Sequence, residues 1–117
     1  MGKLVAGAVV VVPFPFTDLA SRKVRPAVVL AVFNRGDVLL CQVTSKTHGH
    51  PRVVPLVVGD FADGGPLPVD SWVLPHRLVT AHEDVVQRTV GVLTAAKLSE
   101  VREIVVRAVR GELAPTD

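Results

Sequence analysis

One cysteine in 117 residues, no tyrosine and one tryptophan set the first limits on this chain. Cys41 alone cannot close an intramolecular disulfide or build a thiolate metal cage, so the staple of small secreted scaffolds is excluded and a reducing, cytoplasmic setting is expected. Four Phe and one Trp are fewer than a dedicated base-stacking platform uses. Neither sign of charge dominates: 13 Lys and Arg against 11 Asp and Glu leave +2, with a pI near 9.1. No apolar run approaches the roughly 20 residues that cross a bilayer, so no membrane is expected as a partner. Lys3 followed by Leu4 to Val12 imitates a targeting signal, but the run leads into Pro13-Phe14-Pro15-Phe16 with no small-residue cleavage site close behind. It reads as a buried first strand. Neither a P-loop nor a dinucleotide-binding glycine pattern occurs, so the sequence offers no cradle for nucleotide phosphates.

What the chain has in excess is valine, at 26 positions against a single isoleucine. That β-branched surplus predicts a strand-rich fold. At 49% hydrophobic residues and a mean hydropathy of +0.43, the composition is that of one globular domain over residues 1–117. Val9–Val12, Pro26–Phe33 and Val38–Thr44 are expected strands, the last two joined as a hairpin by the turn residues 34–37. Val53–Val58 is a fourth, with Pro55 demanding an edge position or a bulge. Residues 60–70 carry too much Gly and Pro for regular structure and read as a connection. Ser71–Leu74 and Thr89–Leu93 are the final candidate strands, with 75–87 between them of mixed character. From Thr94 the period changes to helical: Leu98, Val101, Val105 and Ala108/Val109 share one face, with Lys97, Glu100, Arg102, Glu103, Arg107 and Arg110 mostly opposite. Thr94 is the expected N-cap, Glu103 and Arg107 an expected i,i+4 pair, and Gly111 the stop, with 112–117 a frayed tail. The fold class is thus mostly β, a small open or barrel-like sheet carrying a C-terminal α-helix.

Among residues that could carry chemistry, His48 and His50 lack the further ligands a zinc site needs, and no metal is assigned. His76 and His82 are isolated in sequence. Cys41 sits inside an apolar strand, where a free thiol packs as a small hydrophobe. Arg25 is more informative, because it stands where a basic loop enters an apolar strand. Across the 34–37 turn, Thr44 occupies the same open end of the hairpin, within one or two ladder positions. A fixed guanidinium beside a fixed hydroxyl is a receptor for a phosphodiester. The plainer reading is a solvated arginine at a strand start and a β-branched strand residue.

The same residues carry a family resemblance. Residues 9–19 (VVVVPFPFTDL), Arg25-Pro-Ala-Val-Val-Leu30, Leu40-Cys-Gln-Val-Thr-Ser-Lys46, Ser71-Trp-Val and Arg88-Thr-Val-Gly-Val-Leu-Thr-Ala-Ala-Lys-Leu98 resemble, in order and spacing, the MazF/PemK toxins of type II toxin–antitoxin modules. The resemblance implies an SH3-like barrel with a C-terminal helix, a homodimer, and a cognate antitoxin whose disordered segment folds across it, with DNA contacts made through that complex. It also implies a cofactor-free endoribonuclease, an mRNA interferase, that cuts single-stranded RNA by attack of a ribose 2′-hydroxyl, leaving 2′,3′-cyclic phosphate and 5′-hydroxyl ends. The family's active-site arginine and threonine fall on Arg25 and Thr44. Thr17, Arg22, Lys23, Ser45, Lys46, His48 and Arg52, in loops 17–25 and 46–52, would flank the RNA. Three positions depart from the family: Ala8 follows Gly7 where an acidic residue is common, a change expected to touch strand-end hydrogen bonding, while in PemK-like members an arginine is common where Leu74 stands and an acidic residue where His76 stands, so His76 is the candidate proton-transfer group. A catalytically inactive RNA- or antitoxin-binding barrel is the alternative that Leu74 and His76 favour.

Overall fold

Valine-rich segments pair with one another across the whole molecule. The computed structural model describes residues 3–13, 23–46 and 54–113. Its strands are β1 (Ala8–Pro13), β2 (Val24–Val32), β3 (Asp37–Thr44), β4 (Val54–Leu56), β5 (Phe61–Gly64), β6 (Ser71–His82) and β7 (Arg88–Leu93), followed by α1 (Ala95–Val109). They form one antiparallel sheet in the order β4-β6-β3-β2-β1-β7-β5, curled into a half-barrel.

The alternation of side chains along each strand divides the core in two. Val10, paired with Ala27, and Val29, paired with Leu40, belong to a cluster with Ala8, Val12 and Val38. Val9, paired with Val28, and Val28, paired with Cys41, belong to the other face, with Val43, Val73, Leu93 and the helix residues Val101 and Val105. The helix therefore covers one face while the curl of the sheet closes over the other. Each fully buried valine contributes about 1.5–3 kcal/mol of transfer free energy, which is how so small a sheet is held. Register shifts between Val29 and Ala31, and between Cys41 and Val43, bend β2 and β3 as bulges do.

Several expected elements match closely. The β2–β3 hairpin forms around a 3₁₀ turn at Asn34–Gly36 in which Arg35 (φ 66°) and Gly36 (φ 81°) are left-handed. β4 is the sheet edge, which explains why Pro55 is tolerated there. Thr94 caps α1, its Oγ1 accepting the Lys97 N–H at 3.1 Å, and Gly111 adopts φ 72° just beyond the helix.

Four expectations need correction. Residues 60–70 are not only a connection: Phe61–Gly64 add a short edge strand to β7, because Gly91 leaves room for the close approach of Asp63 and Gly65 that a side chain would block. The 75–87 stretch is mostly strand, since β6 runs unbroken through Pro75; it does so where the β3–β6 ladder slips and the missing N–H is not needed. On α1, Lys97 is buried (8% exposed) rather than solvated, its ammonium 3.3 Å from Glu100 and 3.6 Å from Asp60, while Val109, in the last turn, is 73% exposed. Arg107 pairs with Glu112 at 3.9 Å in place of Glu103.

Candidate functional site

The β2–β3 register sets the site. The ladder ends where Ala27 pairs with Gln42, which leaves Arg25 and Thr44 each two residues beyond it at the same end of the hairpin. Arg25 pairs on its other side with Val12, and Thr44 with Trp72, giving a row of side chains across β1, β2, β3 and β6 on a single face. Both residues are half-buried, so the sheet holds them while leaving a surface open. At this end lies a cavity of about 280 Å³. One part of its lining is the start of β2 and the end of β3: Lys23, Arg25 and Pro26 with Val43, Thr44, Ser45 and Lys46. The rest comes from the segment that leads into β6: Leu67, Pro68, Val69 and Ser71. Among the described residues, three cationic side chains line the cavity and no carboxylate does, so the field they set there favours an anion.

Local hydrogen bonds orient the hydroxyls. Thr44 Oγ1 accepts the backbone N–H of Lys46 at 3.0 Å, an ST-type turn that fixes the oxygen and leaves its own proton to donate elsewhere. Ser71, buried at the floor, donates to the Val69 carbonyl at 2.9 Å and so pins the segment beside it. Below the site, Gln42 is 3% exposed and its Oε1 has no hydrogen-bond partner among the described residues. Cys41, one residue earlier on the opposite face, donates its S–H to the Leu74 carbonyl at 3.0 Å, and burial pushes its thiol from 9.0 up to about 12. It is a packing group, as its strand position suggested.

The cavity thus gathers Arg25, Thr44, Lys23, Ser45 and Lys46 of the residues singled out from sequence. Thr17, Arg22, His48 and Arg52 lie outside the described residues. His76 is exposed in the slipped stretch of β6 and is not part of the cavity lining, while Leu74 is buried in the core. Among the described residues, no group of three or more His, Cys, Asp and Glu is placed to hold a metal ion, and no helix is long and apolar enough to cross a membrane. Sequence reasoning missed the wall formed by Leu67, Pro68 and Val69. Its only signal was the Gly-Gly-Pro at 64–66, which read as a turn without saying what the turn would bring close.

A curled antiparallel sheet with one C-terminal helix and a cationic cavity at the end of its central hairpin defines the class: a small β-barrel with an anion-receptive site. Residues 6–109 match the family described as PemK-like, MazF-like toxin of type II toxin–antitoxin systems, and the chain belongs to that family. Among solved structures it is similar to MazF from Deinococcus radiodurans (26% identity over 95% of this chain and 99% of that one, TM-score 0.72). It is also similar to a chain of the MazE–MazF complex from the same organism (27% identity over 91% and 94%, TM-score 0.67). An endoribonuclease in complex with its cognate antitoxin from a mycobacterial species shares the fold at 16% identity over 98% and 100%, with a TM-score of 0.63. No curated protein matches the sequence significantly. Toxins of the MazF family are generally endoribonucleases.

Proposed function

We propose that this chain is a cytoplasmic toxin that cuts single-stranded RNA, with Arg25 and Thr44 acting on the scissile phosphodiester. The observation that carries this reading is the cavity where both residues meet beside Lys23 and Lys46, with no carboxylate among the described residues of its lining. RNA supplies its own nucleophile. The 2′-oxygen attacks the adjacent phosphorus as its proton leaves, the bond from phosphorus to the 5′-oxygen breaks, and that oxygen departs protonated. The products are a 2′,3′-cyclic phosphate and a 5′-hydroxyl, and no redox partner is required. What the protein must supply is stabilisation of the extra negative charge on the pentacoordinate phosphorus. Arg25 would do this with a charge-assisted hydrogen bond, and Thr44, its oxygen already fixed by the Lys46 N–H, would donate its proton to a non-bridging oxygen. Lys23 and Lys46 would hold neighbouring phosphates.

The relatives solved as complexes support a cognate antitoxin as partner, and a homodimer is the form we propose from the family resemblance. RNA incubated with the protein in EDTA tests the reading: discrete cuts with 5′-hydroxyl ends support it, and intact RNA with folded protein contradicts it. A second reading, a non-cutting barrel that binds RNA or an antitoxin, is favoured by one observation. His76, the candidate proton-transfer group, is not part of the cavity that Arg25 and Thr44 line. Binding without cutting would establish it.

A further inference from the structure

Of the residues lining the cavity, the anion-receptive cations account for only part. Leu67, Pro68 and Val69 present an apolar surface that a phosphate cannot use. Leu67 is anchored, since it packs against the helix-side core, and Ser71 holds the Val69 carbonyl. Gly65, at φ 59°, brings the chain so close to the Phe61 ring that a Cβ there would lie 2.4 Å from it, which fixes where the segment starts. Yet Val69 itself is 60% exposed. An exposed valine on an anchored segment facing a cationic cavity is a surface kept open for something flat and apolar that carries a negative charge at one end. A nucleotide has that chemistry.

Resting on the function proposed above, we infer that Leu67, Pro68 and Val69 form the seat for the nucleobase next to the scissile phosphate and select it by shape. At about 280 Å³ the cavity lies at the small end of ligand pockets, which run roughly 300–1,000 Å³, a size that suits one nucleotide. The described lining contains no aromatic side chain, and the Ser71 hydroxyl is spent on Val69. What the described residues offer for selection is size and apolar contact with the base plane. The chain's poverty in aromatics fits this: aliphatic and proline surfaces take the place of stacking rings.

Pro68→Ala and Val69→Ser test the seat, because both residues are exposed and their replacement leaves Leu67 and the core intact. Wild type and variants are given a randomised RNA pool and the cut sites sequenced. In parallel, binding of an oligonucleotide carrying a 2′-deoxy residue at the cut site, which cannot be cleaved, is followed by anisotropy at fixed salt. The seat predicts that the preference at one position beside the cut falls about tenfold, the order expected when an apolar pocket loses a methylene-sized contact, while cutting at poor sites persists. The uncleavable oligonucleotide should bind more weakly by a similar factor. Unchanged preference and binding in folded variants would overturn the seat while leaving the ribonuclease reading intact. A uniform loss at all sequences would also overturn it. If wild type binds but never cuts, the cleavage reading fails and the binding arm alone decides the seat.

Discussion

Replacing Gln42 with Met should stabilise the protein. Gln42 lies in β3 opposite Ala27, within the face whose cluster holds Val10, Val29 and Leu40. Its side-chain carbonyl is buried without a donor among the described residues. A buried acceptor left unpaired costs about 1–3 kcal/mol of desolvation, and a side chain of similar length without the amide avoids that penalty. Methionine adapts to the same channel with small repacking cost. A net gain of about 1 kcal/mol is expected, which raises the melting temperature of a domain this size by about 4 °C. Thermal melting followed by circular dichroism, with urea unfolding to check that the slope is unchanged, measures it. A fall in midpoint of comparable size at the same slope would refute the reasoning, because it would mean that the amide has a partner worth more than its burial costs.

Further outcomes follow from the same geometry. Asp60→Asn removes one of two carboxylates beside the buried Lys97 ammonium, Glu100 remaining at 3.3 Å, and should destabilise by about 1 kcal/mol by urea unfolding, whereas Lys97→Met should be near neutral. If both substitutions cost the same, the ion pair is not the reason Asp60 matters. Cys41 should resist alkylation at pH 8 in the folded protein and react once unfolded. Because folding raises its pKa from 9.0 to about 12, the folded state holds the proton longer. The stability from this group is complete below pH 9 and declines as the pH rises toward 12, read as a falling melting temperature that Cys41→Ala abolishes. Thr94→Ala should cost about 1 kcal/mol through loss of the helix cap, seen in the same melts.

How far the sequence alone reached depends on what kind of signal each feature left. β1 to β3 were legible because their valine runs are bounded by Pro, Gly and Asn, and the hairpin turn fixed the register that pairs Ala27 with Gln42. Arg25 and Thr44 followed from that register. β5 and the length of β6 were not legible, since Gly64 and Pro75 are local breakers whose cost is absorbed by long-range pairing with β7 and by a slip against β3. Lys97 misled for a related reason: helical periodicity places it on the polar face, and only the folded 58–60 turn brings Asp60 to meet it. The apolar side of the cavity was invisible because it forms through the return of residues 67–71 beside β3, which no local pattern announces.

The central claim is that Arg25 and Thr44 act together on a phosphodiester. Its most direct test is cleavage of a long single-stranded RNA in EDTA by wild type and Arg25→Ala, with end groups mapped and folding checked by circular dichroism. Discrete cuts with 5′-hydroxyl ends, slowed at least a hundredfold by the substitution, are the predicted result. Equal cutting by the folded variant would contradict the account.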